Sequence, residues 1–265
     1  MRKPMLVLLS LVLAVVMWGC GDRGHESGGS PVSPPVHTGE INPGELHNEV
    51  MMAFQKRAPL ESIPSMQWDG WLETTLNSME EVFVAHDIPF DRAEMSQHIV
   101  QLTRIFGAIY QATGIDPGNL RESETPEADM SRIVAQLETW KLIDHKTATT
   151  VLEFRVDEAA GARAEGITDA ALRDVFRIGA SSREFWLAHE KRTPIERLGD
   201  SDWDPPCKKC MRGATISDYL GGVIGRILCG GSAACRAAMA AAASLLYNMV
   251  STDDGPYGWG WPLFP

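Results

Sequence analysis

Four cysteines carry the most specific spacing in the chain: Cys207-Lys208-Lys209-Cys210, followed by Cys229 and Cys235. Outside the cytoplasm, four thiols predict two disulfides, with three connectivities open. Cys229 and Cys235 cannot pair within an unbroken helix, because six residues rise about 9 Å while bridged Cα atoms usually lie about 4.4–6.8 Å apart. Either Gly230-Gly231-Ser232 breaks the helix, or each of the two cysteines takes a partner from the CxxC pair and staples the preceding linker to the helix. The same residues approach a zinc-ribbon layout, although the second pair has five intervening residues rather than two, and an oxidising compartment disfavours four free thiolates. A free or redox-active dithiol at Cys207 and Cys210 is the third reading. A thioredoxin-like CxxC would open a helix after a strand, and here Pro205-Pro206 precede it.

Other groupings have chemistry within reach and a plainer reading beside it. Asp91, Glu94 and His98 stand at i, i+3 and i+7 and could offer three ligands on one helix face, yet a capped helix start accounts for both acids. His47-Asn48 reads as a hydrogen-bonded pair that orients a helical turn, since no Ser or Cys nucleophile is tied to it by sequence. Gly179-Ala180-Ser181-Ser182-Arg183 lacks the second glycine of a nucleophile elbow, so Ser181 and Ser182 read as small packing residues. No phosphate-binding glycine loop, HExxH or dinucleotide fingerprint occurs. The expectation is therefore no catalytic residue, no metal and no cofactor.

These residues must be positioned by helices, because apolar residues recur at three and four throughout. Leu72, Leu76, Met79 and Phe83 share one face; Ile99, Leu102, Phe106 and Ile109 share another. Ile133, Leu137 and Trp140 continue the pattern, Val151 and Phe154 lie in another helix, and Leu172, Val175, Gly179, Ser182 and Trp186 stripe a long one. Asp91 with Glu94, Thr125-Pro126, Gly114 and Gly166 supply start and stop signals. The Thr- and Val-rich run 147–156 is the one stretch that favours a strand. The fold class expected is all-α: a multi-helix bundle with a C-terminal small-residue helix and an irregular aromatic tail. In that helix Gly221, Gly225, Cys229, Ala233, Ala237 and Ala241 fall four apart, a flat ridge that admits another backbone. Beyond it, Tyr257, Trp259, Trp261 and Phe264 mark the tail, read as a lid over bundle grooves.

The N-terminus gives an address. Arg2 and Lys3 precede an apolar run of 14 residues, Met5 to Trp18, which ends in Gly19-Cys20. That is the layout of a secretory signal, too short to span comfortably. Cysteine after glycine at its end has the form of a lipobox, in which Cys20 is lipidated and becomes the mature N-terminus. Removing residues 1–19 takes away two positive charges and leaves 22 Lys and Arg against 35 Asp and Glu. A surface so acidic excludes nucleic acid as a partner and gives no attraction to anionic headgroups, so acyl chains would hold the protein at the membrane. The organisation expected is a signal peptide over 1–19, lipidated Cys20 and a flexible Gly/Ser/Pro tether to 42, a helical domain over 43–192, a Cys-bearing linker over 193–213, a Gly/Ala-rich helix over 214–250 and the aromatic tail over 251–265.

Gly44-Glu45-Leu46-His47-Asn48, Ser181-Ser182 with Phe185-Trp186, and Asp218 leading the Gly/Ala-rich segment together resemble a set of exported bacterial helical proteins, many of them lipoproteins, that have no assigned activity. The resemblance implies an all-helical fold, an envelope location and a glycine-zipper-like C-terminal stretch. It singles out His47, Asn48, Ser181, Ser182, Trp186 and Asp218 as the motif, and adds no chemistry. This chain departs from the pattern by its four cysteines and by Ala at several expected Gly positions. The function expected is a non-enzymatic, lipid-anchored envelope protein on the non-cytoplasmic side of a membrane, with a helix-packing role, a protein partner or self-association. The alternatives are a membrane-active, bacteriocin-like C-terminal segment and, behind it, a thiol or metal enzyme using the CxxC pair.

Overall fold

Asn42 starts the first helix. Its side-chain oxygen accepts from the backbone N–H of Gly44 and Glu45, while Pro43 fills a first-turn position that needs no donor. The computed structural model describes residues 41–115, 126–154, 159–192 and 208–250, which belong to one unit of the chain. Among these residues there are nine α-helices and no strand. They are α1 (Pro43–Arg57), α2 (Trp68–Ala85), α3 (Arg92–Thr113), α4 (Pro126–Thr139), α5 (His145–Glu153), α6 (Ala160–Glu165), α7 (Ala170–Arg192), α8 (Lys208–Leu228) and α9 (Ala233–Val250), with a 3₁₀ turn at Leu60–Ser65. The all-α multi-helix bundle anticipated above is what forms.

Local signals account for the boundaries. The Asp91 carboxylate accepts from Ala93 and Glu94 N–H to begin α3, and Gly114 ends it in the left-handed region at φ 65°. Asp144 caps α5 through Thr147 N–H at 2.7 Å. That cap helps residues 147–153 of the strand-favouring stretch become helical, and the Thr150 hydroxyl donates back to the Lys146 carbonyl. The apolar stripes meet inside: Leu76, Met79 and Phe83 of α2, Ile99, Leu102, Phe106 and Ile109 of α3, and Leu172, Val175 and Trp186 of α7 are buried. Each large side chain so enclosed contributes roughly 1.5–3 kcal/mol of hydrophobic stabilisation before chain entropy is charged against it.

The C-terminal segment corrects the reading of one continuous helix over 214–250. Gly230, at φ 55°, breaks it, and α8 and α9 form a hairpin across Cys229–Ser232. The Ser232 hydroxyl caps α9 through Cys235 N–H at 3.1 Å, and Arg236 Nη1 donates to the Gly230 carbonyl at 3.0 Å. A helix running through this point would have left both glycines without the turn for which their backbones are suited. Helix α8 also begins at Lys208, so residues 208–213, expected in the linker, are helical.

The ridge changes meaning accordingly. Gly221 and Gly225 face residues of α9: a Cβ on Gly221 would lie 2.5 Å from Ala243 Cβ and 2.9 Å from Ala240 Cα, and one on Gly225 would lie 3.1 Å from Met239 Cβ. The stripe they meet is therefore Arg236, Met239, Ala240 and Ala243. Ala237 and Ala241 are buried, but they are not the close neighbours of these glycines, and with Ala233 they belong to the second helix and not to a continuation of the first. Gly222 lies off this contact, facing Val175 at an ordinary 3.4 Å. Gly222→Ala is expected to leave the denaturation midpoint unchanged or raise it slightly, because the gain in helix propensity of up to about 1 kcal/mol meets only mild crowding.

Helix α9 is the centre of the bundle. It packs against α8, α1, α3, α7, α2 and the 3₁₀ turn, and residues 234–247 are buried all round. An alanine-rich helix is narrow enough for neighbours to close in on every side. Among the described residues, the last helix in sequence is thus the innermost in space.

Candidate functional site

The closest approach of α1 and α7 builds the site. A Cβ on Gly44 would fall 2.3 Å from Ser181 Oγ and 2.7 Å from the Arg177 carbonyl oxygen, so only glycine fits there. That contact brings His47 and Asn48, one turn further on, against Ser181 and Ser182 of α7. Helix α8 adds Asp218 from the third side. All six motif residues, His47, Asn48, Ser181, Ser182, Trp186 and Asp218, therefore join one network.

The hydrogen bonds fix the protons. Asn48 Nδ2 donates to the Ser181 carbonyl at 3.0 Å, which turns its Oδ1 towards His47 Nδ1 at 2.8 Å. An amide oxygen only accepts, so Nδ1 carries a proton. The other ring nitrogen, Nε2, lies 3.2 Å from Asp218 Oδ1, an ionic contact whose angles fall short of a hydrogen bond, and neither atom has a hydrogen-bond partner among the described residues. The second carboxylate oxygen, Oδ2, accepts from the Ser182 hydroxyl and from Trp186 Nε1. A carboxylate facing Nε2 favours a proton there as well. Wherever His47 is protonated the pair is an imidazolium facing a carboxylate, and His47, Ser182 and Asp218 are all 0% exposed.

Burial by itself works to lower the His47 pKa, and it is the largest single influence. The charge of Asp218, the closeness of its carboxylate and the hydrogen bond with Asn48 together outweigh it and raise the value above the ordinary 6.5. Imidazole proton resonances followed against pH by NMR should place the His47 titration above 6.5, and Asp218→Asn should bring it down. A His47 resonance titrating at or below 6.5 in the parent protein would contradict the pairing.

What this arrangement can do chemically is limited by its order. Nucleophilic catalysis needs the hydroxyl on the imidazole and the carboxylate behind it. Here the carboxylate stands in the middle, accepting from Ser182 on one side and facing His47 on the other, so Ser182 is not hydrogen-bonded to the base that would activate it. The network instead joins three helices, α1, α7 and α8, across the interior.

Two further ionic contacts tie the hairpin to α7 and its approach. Arg236 of α9 pairs with Asp174, both nearly enclosed, and Arg226 of α8 reaches Asp169 at 3.0 Å and Thr147 Oγ1 at 2.9 Å. Tyr219 donates to the Val151 carbonyl at 3.1 Å and lies beside the stacked Phe154 and Phe176 rings. Asp169 and Asp174 were not singled out in the sequence. The signal for Asp174 was its place between Leu172 and Val175, on a face otherwise given to the core.

The metal reading of Asp91, Glu94 and His98 dissolves into separate roles. Asp91 caps its helix, Glu94 is exposed, and His98 Nδ1 turns to Cys235 Sγ at 3.7 Å. Cys229 and Cys235 are joined by a disulfide with Cα atoms 5.7 Å apart, the pairing that required a broken helix. Cys207, Cys20 and the tail residues Tyr257, Trp259, Trp261 and Phe264 lie outside the described residues, as does the side chain of Cys210. Among the described residues no helix is long and apolar enough to cross a membrane. No family model, curated protein or solved structure matches the chain.

Proposed function

We propose that the protein is a non-enzymatic lipoprotein of the bacterial cell envelope, held on the non-cytoplasmic side of a membrane by acyl chains on Cys20, whose helical body serves by packing against a protein partner or a second copy of itself. The observation that favours the non-enzymatic reading is the enclosure of the His47–Asp218 network: the histidine, serine and carboxylate that the three helices bring together are buried and engaged with one another. The lipid-anchored reading draws on the signal-like run to Trp18 and the Gly19-Cys20 junction. The charge balance of 24 Lys and Arg to 35 Asp and Glu argues against a polyanionic partner, in keeping with a protein one.

Metabolic labelling with a fatty-acid analogue tests the anchor. The parent chain should take up label and sediment with membranes, and Cys20→Ser should lose both. Uptake of label by Cys20→Ser, or soluble behaviour of the parent, would end the lipoprotein reading. Crosslinking in native cells followed by mass spectrometry addresses the partner.

A further inference from the structure

The His98, Cys229 and Cys235 ligating atoms lie within 4.8 Å of one another, at the end of the bundle where α8 turns into α9. Their surroundings are unequal. Cys229, the last residue before the turn, is half-buried and is followed by the exposed Gly230, Gly231 and Ser232. Cys235 is buried, sits in the first turn of α9, and has His98 Nδ1 3.7 Å from its sulfur. The Cys229 side of the bridge is thus the more open of the two to an incoming thiolate. A thiolate leaving on Cys235 is received by an imidazole and by the positive end of a helix, whereas one leaving on Cys229 would face the carbonyl end of α8. Exchange is faster when the displaced sulfur is the better-stabilised thiolate.

We propose that the Cys229–Cys235 disulfide is an exchange site for an external thiol, in which Cys229 is attacked, Cys235 is released and His98 receives the released charge. The thiolate of a small or protein dithiol forms a bond to Cys229 Sγ. The bond between the two cysteine sulfurs breaks, its electron pair departs on Cys235 Sγ, and His98 in its protonated form pairs with that thiolate or gives it a proton. The second thiol of the same reductant then displaces Cys229, leaving both cysteines reduced and the reductant as its own disulfide. The close contact of Gly221 with Ala240 and Ala243 lies two turns from the bridge, so the hairpin has a packed interface to hold it while the turn reacts.

The test uses the full chain carrying Cys20→Ser, Cys207→Ser and Cys210→Ser, so that the only sulfurs capable of exchange are the two in question. Reduced glutathione is added, the reaction is quenched with acid, and the mixed disulfide is located by peptide mass spectrometry, while dithiothreitol gives the rate of reduction. Glutathione should be attached to Cys229 in excess of Cys235 by at least about fivefold. His98→Ala and His98→Gln should each slow reduction by roughly tenfold, the effect of removing the imidazole that receives the leaving sulfur. A variant that merely loosened the turn would react faster, the opposite sign. Equal attachment to both cysteines, attachment chiefly to Cys235, or a rate in the His98 variants equal to or above that of the parent overturns the proposal.

Discussion

Asp218→Ala is expected to destabilise the protein by about 3–5 kcal/mol, the range found when one partner of a buried ion pair is removed and the other is left without compensation. The substitution strands more than a charge. His47 Nε2 loses the carboxylate it faces, and the Ser182 hydroxyl and Trp186 Nε1 lose their acceptor, all inside the protein. Urea melts at pH 6 check the value. Against a total stability of about 5–15 kcal/mol for a typical domain, a loss of this size would leave much of the chain unfolded at modest temperature. A loss below about 1 kcal/mol would mean that the site is wetter or looser than its geometry requires.

Gly221→Leu should cost about 3 kcal/mol or more, at the upper end of what overpacking does. The obstacle is backbone as well as side chain: the first added carbon already meets Ala240 Cα at 2.9 Å and Ala243 Cβ at 2.5 Å. The sharper observation is the sign of Gly221→Ala. At an exposed helix interior that change gains about 1 kcal/mol, whereas here it should destabilise, because α8 and α9 would have to separate. Gly225→Ala, whose nearest neighbours would be at 3.1 and 3.2 Å, should be milder. Midpoints for Gly221→Ala at or above that of the parent would show that the hairpin does not pack through this glycine.

Much of the helical layout was legible because it rests on local rules. Buried residues at three and four, the Asp91 cap and the Gly114 stop each act within one or two turns. The run of small residues was harder. Spacing of four predicts a ridge, and a ridge is equally well made by one helix or by two that fold back on each other. What decided between them was Gly230 with Gly231 and Ser232, a turn and a cap in sequence, which the four-residue spacing ran straight across. The motif residues could be named from resemblance, but nothing in their spacing placed Asp218 on His47, because that contact joins residues 171 positions apart and depends on how three helices stack. Asp218, Arg226 and Arg236 did carry a sign of their own: charges set among Gly, Ala and Leu on helices with little polar face have to find partners inside.

The pH dependence follows from the same pair. Because the His47 pKa is raised on folding, the stabilisation it provides is complete below about pH 6.5, its ordinary value in the unfolded chain. That stabilisation is lost as pH climbs through the higher folded-state value. A double-mutant cycle of His47→Ala and Asp218→Ala, read by urea melts at pH 6 and again at rising pH, measures the coupling that holds α1 to α8. The predicted result is a coupling of about 1.5 kcal/mol or more at pH 6 that shrinks as pH rises. Costs that add to within about 0.5 kcal/mol at pH 6, or a coupling that grows with pH, would contradict a buried imidazolium and carboxylate as the lock on the hairpin.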